Sequence, residues 1–468
     1  MSIASAARNA RFPRVLIENV SPSVDCGRYP VKRVVRDRVD VGVDLIKDGH
    51  DLVAGRVCFR LAGEHSWHYA PLSYHYDEDR WFASFVVDRA GNWELIIEAW
   101  PDVFGTWRSE LNKKFEARQD VSLELSEGAL LLEAAARRAR GEERALLRQR
   151  AAALTDRTCA PESRVQSASA EDLRALMGRH IDVKQVVRSR SYPIVVDVEK
   201  ARFGSWYEMF PRSQAAEPGR HGTFADAEQQ LPRLAELGFD VVYLPPIHPI
   251  GHTFRKGKNN SIGAEPNDVG SPWAIGNEAG GHDAVDPHLG TLEDFDRFVA
   301  AAERHGISVA LDYALQCSPD HPWVKEHPQW FFIRPDGSIK YAENPPKKYQ
   351  DIYPLDFWSS EREALWDACK ELLRFWIGRG VRIFRVDNPH TKPLAFWEWV
   401  IAEIKREHPD IIFLAEAFTR PTRMKALAKL GFTQSYSYFT WRNTAAELRH
   451  YLTELTQTEM AEFYRPNF

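Results

Sequence analysis

The spacing of apolar and polar residues changes twice along this chain of 468 residues. From residue 12 to 125, short runs such as RVLIENV, GRVCFRLA and RWFASFVV alternate apolar and polar positions between Gly-, Pro- and Asp-rich turns. A period of two is typical of strands with one buried face, so this region is predicted to be an antiparallel β-sandwich. From 126 to 178 the apolar residues take helical spacing, as in ALLLEAAARRAR, which predicts an inserted helical bundle. Residues 179–200 are predicted to return to the sandwich as a linker.

Strand and helix patterns alternate in the remaining residues, 201–468. The candidate strands are Ser205–Met209, Val241–Leu244, Ile307–Asp312, Val381–Val386, Ile411–Ala415 and Gln434–Ser437. Helical patterns lie near 225–237, 291–304, 360–378, 392–407, 421–430 and 443–455. These six βα units predict a multidomain α/β protein with an incomplete (β/α)8 catalytic barrel, because a complete barrel has eight.

Two of the predicted strands run directly into a carboxylate. Asp387 follows the apolar run in GVRIFRVDNPHTKP, and Glu416 follows the run in DIIFLAEAFTRP. Both runs are too short for helices and too continuously apolar for half-exposed strands, which is typical of parallel strands covered on both faces. In a (β/α)8 barrel the reactive groups lie where strands end, so the two carboxylates are predicted to face one pocket, as glycosyl transfer requires.

The surroundings of the two carboxylates differ. Arg385 precedes Asp387 by two residues, so both side chains point to the same side of the strand, and the guanidinium would keep a nucleophile ionised. Glu416 ends an apolar run, where desolvation raises a pKa toward the range of a general acid. The alternative for either residue alone is a cap of the following helix.

Two connections are much longer than the usual βα loop. They are Pro245–Gly290 and Tyr313–Trp358. Both leave the carboxyl ends of predicted strands, where a barrel binds its substrates. Long loops without much regular structure tend to be functional, so both are predicted to line the site.

Composition excludes some other functions. A net charge of −5 without a long basic tract argues against nucleic acid as a partner. No long apolar run or signal-peptide pattern appears, so no membrane partner is expected and the protein is predicted to be cytoplasmic. The five cysteines lack the spacing of a disulfide framework or a zinc site; they are Cys26, Cys58, Cys159, Cys317 and Cys369.

Several motifs together resemble one enzyme family. They are GSWYEMFPRS, GFDVVYLPPIHPIG, FRKGKNNS, DVGSPWAIGNEAGGHDAVDPHLGT, LDYALQCSPDHPW, RVDNPHTKP and FLAEAFTRP. From about residue 12 onward the chain resembles the maltosyltransferase branch of the α-amylase superfamily (glycoside hydrolase family 13), the α-1,4-glucan:maltose-1-phosphate maltosyltransferases. Many members of the superfamily have a His-ending motif on the third strand. This chain has Asp312, Tyr313, Ala314, Leu315 and Gln316 there, and Gln316 in that place marks this branch.

The resemblance implies a retaining transfer of maltosyl units from α-maltose 1-phosphate to the non-reducing end of an α-1,4-glucan such as glycogen, with release of phosphate. Asp387 matches the nucleophile that forms a β-maltosyl ester, and Glu416 matches the general acid/base. Retention by this route predicts carboxyl groups about 5–5.5 Å apart. Arg385 would keep the nucleophile ionised, and Asn388 would contact sugar hydroxyls. A homodimer is the usual assembly of the family.

Further substrate contacts are also implied by the resemblance. The residues matching the maltosyl site are Lys256, Asn260 and Gln316, and those matching the phosphate site are Asn344, Lys347 and Tyr349. A lysine with amide and hydroxyl donors suits a phosphate monoester, although a solvated Pro-Lys turn is the plain alternative for this segment. No metal or other cofactor is implied, and His282 and Asp283 are interpreted as hydrogen-bonding loop residues because their spacing fits no metal motif.

The chain departs from the family at its last residues, ArgProAsnPhe (465–468), after which the family has a third carboxylate. The last two strands, that carboxylate and a C-terminal domain are therefore expected to be missing, and an open sheet of six strands would leave exposed edges. The printed chain is on this basis expected to be inactive or unstable. The other functions left open are an amylase-type hydrolase, a trehalose-forming isomerase and an inactive glucan-binding fragment.

Overall fold

The computed structural model describes residues 13–467 in two units that interleave along the sequence. The predicted domain start at residue 12 and the final Phe468 lie outside the described residues. The first unit contains the chain as far as Arg28 together with Arg38–Val86 and Trp93–Pro193. The second contains Tyr29–Asp37, Val87–Asn92 and the chain from Ile194 onward.

The regular elements are numbered in chain order. The strands are β1 (Leu16–Ser21), β2 (Val31–Val34), β3 (Arg38–Ile46), β4 (Val53–Leu61), β5 (His68–Pro71), β6 (Ser73–His75), β7 (Arg80–Val86), β8 (Gly91–Pro101), β9 (Val187–Arg188), β10 (Tyr192–Asp197), β11 (Trp206–Glu208), β12 (Val241–Leu244), β13 (Ser308–Tyr313), β14 (Gln316–Cys317), β15 (Ala342–Asn344), β16 (Lys347–Tyr349), β17 (Tyr353–Pro354), β18 (Ile383–Asp387), β19 (Ile412–Glu416), β20 (Gln434–Tyr436) and β21 (Pro466–Asn467). The helices are α1 (Val103–Glu116), α2 (Ser122–Arg138), α3 (Gly141–Thr155), α4 (Pro161–Ala168), α5 (Glu171–Arg179), α6 (Phe224–Glu228), α7 (Leu231–Glu236), α8 (Leu292–Arg304), α9 (Pro322–Glu326), α10 (Arg362–Gly378), α11 (Leu394–Glu407), α12 (Pro421–Lys429), α13 (Ala445–Gln457) and α14 (Met460–Phe463).

Antiparallel sheets form the first part of the first unit, as predicted. One sheet has the order β1-β3-β7-β6, and in another β4 pairs with β5 and β8 while β9 pairs with β8. The alternation is clear in β3, where Val39, Val41 and Val43 are buried while Arg38 and Asp40 are exposed. The period of two in the sequence therefore produces the buried face that it predicts.

The helical part of the first unit begins earlier than the predicted boundary at residue 126. Helix α1 starts at Val103, because the Asp102 carboxylate accepts a hydrogen bond from the Gly105 backbone and caps the helix. Helices α1 to α5 bury a common apolar cluster. Within it, the Trp107 ring packs against Gly128 of α2, where a Cβ would lie 2.0 Å from the ring.

A parallel sheet organises the second unit, in the order β11-β12-β13-β18-β19-β20-β21. Its first six strands are the predicted ones, which confirms the barrel-type βα repeat. The expectation of only six strands is wrong, because Pro466–Asn467 forms a seventh strand beside β20. A two-residue strand that includes proline has no hydrophobic period by which a sequence pattern could reveal it.

Helices cover the outward face of this sheet, and a large apolar cluster lies between the helices and the sheet. The pattern at 225–237 forms two helices, α6 and α7, because Pro232 has no N–H for a continuous helix. The connection Tyr313–Trp358 has more regular structure than expected, since it contains the pairs β14–β17 and β15–β16. No helix in residues 13–467 is long and apolar enough to cross a membrane.

Candidate active site

Side chains along β18 alternate between the two faces of the sheet, so apolar packing residues and charged residues lie on different faces at the carboxyl end of the strand. Phe384 and Val386 point outward into the apolar cluster beneath the helices, whereas Ile383 belongs to a second cluster on the opposite face of the sheet. Arg385 and Asp387 have the parity of Ile383 and therefore lie on that inner face, as predicted. The inner face is apolar at the start of the strand and charged at its carboxyl end.

Strand register brings further polar groups to the same end of the sheet. Asp387 is the direct partner of Glu416 on β19, and Arg385 is the direct partner of Asp312 on β13. Tyr243 of β12 adds a hydroxyl, which donates to Asp312 Oδ2 at 2.6 Å. The predicted meeting of Asp387 and Glu416 thus follows from parallel pairing of neighbouring strands.

The Arg385 guanidinium joins three carboxylates. Its NH1 group lies 2.6 Å from Asp312 Oδ2 and 3.2 Å from Asp387 Oδ1, and its NH2 group lies 2.8 Å from Glu416 Oε1. The Arg385 side chain is only 9% exposed. In this weakly solvated place one cation offsets part of the repulsion among three acidic groups and holds their oxygens in fixed positions.

Burial changes the proton affinity of two of these acids. Burial raises the pKa of Asp312 to about 7, although the Arg385 charge opposes the shift. Burial also raises the pKa of Glu416, the Arg385 charge lowers it, and the negative charge of Asp387 adds to the increase. A glutamic acid that keeps its proton more readily than usual is suited to general acid catalysis, as the sequence predicts for Glu416.

A cavity of about 1200 Å³ opens beside Asp387 and is lined by both long connections. Its walls include the indole rings of Trp273 and Trp358. The predicted site residues that line it are Asn260, Gln316, Asn344, Tyr349, Asp387 and Asn388. Residues from each long connection therefore meet the strand ends at one cavity, as the prediction for these connections requires.

Asn388 contacts both carboxylates. Its backbone has a φ of 43°, a left-handed conformation that asparagine tolerates better than most residues. In this conformation its side-chain nitrogen donates to Asp387 Oδ1 at 3.2 Å, and its backbone N–H donates to Glu416 Oε2 at 3.4 Å. The residue therefore fixes the two acids relative to each other as well as lining the cavity.

The other predicted residues do not line the cavity wall. Arg385 and Glu416 lie behind Asp387 in the charged cluster. Lys256 is 6% exposed, and its Nζ donates to Gln350 Oε1 at 3.0 Å, so it links the two long connections. Lys347 is exposed on β16.

Asp312 and Lys392 are site residues to which the sequence analysis gave no role. Asp312 is the last but one residue of the buried strand β13, close to the same end at which Asp387 ends β18, and that similar position was the available signal. Lys392 lines the cavity, and its Nζ lies 3.4 Å from the backbone oxygen of Asp387 and 3.5 Å from that of Asn388. Lys392 lies in a loop, and the sequence pattern shows no period there that could have placed its side chain beside Asp387.

A histidine pair lies near the second long connection. His282, Cys317 and His321 are buried, and their possible ligand atoms lie within 4.8 Å of one another. The Trp323 backbone N–H donates to His321 Nδ1, so the proton of that ring is on Nε2 and is donated to His282 Nδ1 at 3.0 Å. His282 Nε2 then donates to the Ala314 oxygen at 2.9 Å. All four ring nitrogens of His282 and His321 take part in hydrogen bonds. The two histidines therefore link the surrounding loops, and their nitrogens are not available as metal ligands.

Fold and site together define a class of protein. A parallel βα sheet with an aspartate and a glutamate in register at the carboxyl ends of adjacent strands is the arrangement of a barrel-type glycosidase. A family model described as "Alpha amylase, catalytic domain" matches residues 208–419. Among solved structures, an α-amylase from Lactobacillus plantarum is 26% identical, with a TM-score of 0.46, and the match covers 55% of this chain and 60% of that chain. On the evidence of the family model, the second unit contains an α-amylase-type catalytic domain.

Relatives over almost the whole length narrow the assignment. A family model described as "Alpha-1,4-glucan:maltose-1-phosphate maltosyltransferase, domain N/S" matches residues 13–198. The maltosyltransferase of that name from Chlorobaculum tepidum is 53% identical over 97% of this chain and 68% of that relative. The one from Myxococcus xanthus is 51% identical over 98% of this chain and 70% of that relative. This chain belongs to the α-1,4-glucan:maltose-1-phosphate maltosyltransferase family.

Proposed function

We propose that this protein transfers a maltosyl unit from α-maltose 1-phosphate to the non-reducing end of an α-1,4-glucan and releases inorganic phosphate. The observation that carries the proposal is the register of Asp387 with Glu416 beside a large cavity, in a chain of this family. No metal or other cofactor is needed for the reaction, because two carboxylates can perform it.

The two carboxylates divide the chemistry. Asp387 attacks the anomeric carbon, the bond from that carbon to the phosphate oxygen breaks, and a β-maltosyl ester forms. Glu416 gives its proton to the departing phosphate oxygen. It then takes the proton of the glucan 4-hydroxyl while that oxygen displaces Asp387. Two inversions leave the new linkage in the α configuration, and a separation of about 5–5.5 Å between the carboxyl groups remains a prediction.

The charged cluster supports both steps. Arg385 lies 3.2 Å from Asp387 and 2.8 Å from Glu416, so its charge favours the ionised nucleophile and orients the acid. The raised pKa of Glu416 favours the protonated form that the first step consumes. Asn388 lies against both acids and would donate to a hydroxyl of the maltosyl unit.

The maltosyl unit would occupy the cavity beside Asp387. Asn260 and Gln316 line that cavity from the two long connections, and both carry amide groups that can bond sugar hydroxyls. Lys256 is committed to Gln350 and lies at the junction of these connections. Its contribution is therefore either a direct sugar contact after a small movement or the positioning of the loops.

The hairpin of β15 and β16 would hold the phosphate. Asn344 pairs with Lys347, and Ala342 pairs with Tyr349, so Asn344, Lys347 and Tyr349 share one face of the hairpin. Lys348 lies on the opposite face. Asn344 and Tyr349 line the cavity, and a cation on their face suits an anionic leaving group.

This phosphate site is tested by a matched pair of lysine variants. Lys347→Ala should lower kcat/KM for α-maltose 1-phosphate about 10- to 100-fold, the equivalent of one hydrogen bond to a charged group. Lys348→Ala removes the same charge from the other face and should change kcat/KM less than threefold. Equal losses of kcat/KM in the two variants would show that the positive charge of the hairpin attracts the anionic donor without a specific contact from Lys347.

The main assay measures phosphate release and product length with α-maltose 1-phosphate and maltohexaose. Because the chain spans 68% of the Chlorobaculum tepidum relative, it is assayed both alone and fused to the part of that relative beyond the match. Phosphate release with products longer by two glucose units supports the proposal. Cleavage of maltohexaose by water, with α-maltose 1-phosphate left intact by both proteins, would contradict it.

A trapping experiment tests the two carboxylates separately. Glu416→Ala with α-maltosyl fluoride, whose leaving group needs no proton, should accumulate a maltosyl ester on the peptide that contains Asp387. Mass spectrometry of the digested protein detects the added mass. Asp387→Ala should give no such adduct with the same donor, and an adduct on any other residue would reject Asp387 as the nucleophile.

Two further proposals concern the oligomeric state of the protein and its cellular compartment. We propose a homodimer, as the family resemblance implies, and sedimentation velocity measures it directly. We also propose that the protein works in the cytoplasm, a reducing compartment in which its five cysteines, all free thiols in the structure, would stay reduced. Fractionation of the source cells tests this location, and recovery outside the cytoplasm would reject it.

A further inference from the structure

A second cavity lies within the first unit. Its volume is about 490 Å³, inside the range of about 300–1,000 Å³ that is usual for small-molecule sites. One wall is the sheet of β4, β5 and β8, and the other includes the start of α1, helices α2 and α5 and the segment that follows α5. All the lining residues belong to the first unit, and none takes part in the chemistry proposed above.

The sheet wall presents a row of flat side chains. Arg56 of β4 lies between two aromatic rings, with its guanidinium carbon 4.0 Å from the Tyr69 ring centre and 5.8 Å from the Trp100 ring centre. Tyr69 is 52% exposed and Trp100 is half-buried. Exposed aromatic faces in a concave wall offer an apolar surface for the C–H face of a sugar ring.

Hydrogen-bonding capacity remains free on the opposite wall. Gln185 Oε1 is buried without a hydrogen-bond partner among the described residues. An orphaned acceptor of this kind costs about 1–3 kcal/mol, which a ligand donor recovers once the Gln185 side chain turns its covered oxygen toward the cavity. Arg138 uses its Nε to bond the His180 backbone oxygen, and its two terminal NH₂ groups have no partner within residues 13–467. The wall therefore offers both an acceptor and donors, as a hydroxyl-rich ligand requires.

The charges around this cavity are largely compensated inside the protein. Arg56 lies 2.6 Å from Glu98, Arg174 lies 3.2 Å from Glu171, and His180 lies 2.7 Å from Glu143. The carboxylates of Asp102 and Asp182 also line the cavity. A phosphate or other strongly anionic ligand would meet these carboxylates without a concentrated positive field, so a neutral ligand fits better.

We propose that this cavity is a second binding site for α-1,4-glucan, in which a glucose unit stacks on Trp100 and its hydroxyls bond Gln185 and Arg138. The identity of the ligand rests on the proposed function, because a glucan is the acceptor in that reaction. The cavity would retain the polymer on the protein between successive transfers. Its effect should therefore be large for long glucans and small for short acceptors.

The test measures retention of the printed chain in native gels that contain glycogen. Trp100→Ala should weaken the apparent affinity about threefold to tenfold, the range of one aromatic stacking contact. Gln185→Met keeps the side-chain length but removes the orphaned acceptor, so it should weaken retention while leaving the melting temperature equal or higher. Trp67→Ala is the matched control, since that ring stacks on Arg60 outside the cavity lining and its loss should leave retention unchanged.

Phosphate release with maltohexaose separates this inference from the proposed function. Unchanged release together with weakened glycogen retention in both cavity variants supports the second site. Unchanged glycogen retention in both variants overturns it, whatever the activity. A changed sedimentation coefficient with unchanged retention would assign the cavity to a subunit contact and also overturns it. Weakened retention without phosphate release from any version of the protein would reject the transfer reaction and leave the glucan site standing.

Discussion

Replacing Asp197 by asparagine should destabilise the second unit by several kcal/mol. Asp197 ends β10 and is only 2% exposed. Its carboxylate accepts hydrogen bonds from Lys405 of α11 and from Arg465 just before β21. A third cation, Lys32, is 6% exposed and donates to the Phe432 backbone oxygen. One carboxylate therefore compensates buried positive charges from distant parts of the unit.

Two routes give the size of the effect. Burial alone would raise the pKa of Asp197, but the Lys405 and Arg465 charges outweigh it and hold the pKa at about 2. Against an unperturbed value near 3.9, that shift corresponds to about 2.5 kcal/mol of stability at neutral pH. Removing one partner of a buried ion pair costs about 3–5 kcal/mol, because the other charges remain uncompensated. We expect a loss of about 2.5–5 kcal/mol.

The sign of the pH dependence follows from the lowered pKa. Asp197 contributes its full stabilisation above about pH 4, and the contribution is lost as the pH falls toward 2. Urea unfolding at pH 7, followed by tryptophan fluorescence, measures the free energy of unfolding. The difference between wild type and Asp197→Asn should shrink as the unfolding series is extended to lower pH.

Asp410→Asn serves as the control for Asp197→Asn. The Asp410 carboxylate is 46% exposed and pairs with Arg382 at 3.2 Å, so its loss should cost less than about 1 kcal/mol. If Asp197→Asn cost no more than this control, or if its deficit persisted at low pH, the buried ion cluster would not be the source of the stability.

The remaining predictions concern a cation, a hydroxyl and a glycine. Lys32→Met should be neutral or stabilising in urea unfolding at pH 7, because burial and the nearby Arg465 charge lower the pKa of Lys32 and make its charged form costly; a loss above about 2 kcal/mol would contradict this. The Asp312 carboxyl, with a pKa raised to about 7, stabilises the fold below about pH 4 and loses that contribution as the pH rises toward 7. Tyr243→Phe removes a hydrogen bond to the ionised Asp312 carboxylate and so raises the pKa of Asp312 further. The melting temperature of this variant should therefore keep falling above pH 7, and a dependence of melting temperature on pH equal to that of the wild type would reject the argument. Gly128→Ala should cost about 1–3 kcal/mol or more through its clash with a tryptophan ring, whereas Gly378→Ala, with open space around it, should be neutral or stabilising in thermal melts.

Local patterns predicted much of the strand that ends at Asp387. Spacing by two residues places Arg385 and Asp387 on one face of β18, and this holds for any strand, because side chains alternate regardless of what surrounds it. Buried strands are also recognisable from continuous apolar runs, which is why the first six strands of the parallel sheet were predicted. The start of α1 at Val103 was missed because its cap, Asp102, directly follows strand β8. No turn lies between the strand and the helix, so the change from a period of two to helical spacing is not visible at this point in the sequence.

The sequence by itself determined the first six strands of the barrel-type sheet and the two carboxylates at its strand ends, since each depends on residues within a few positions of one another. Only the tertiary structure decided the register that pairs Asp387 with Glu416 and Arg385 with Asp312. It also decided that Lys256 bonds Gln350, a partner 94 residues away. Such contacts depend on how strands align and loops meet, and no local period in the chain encodes that geometry.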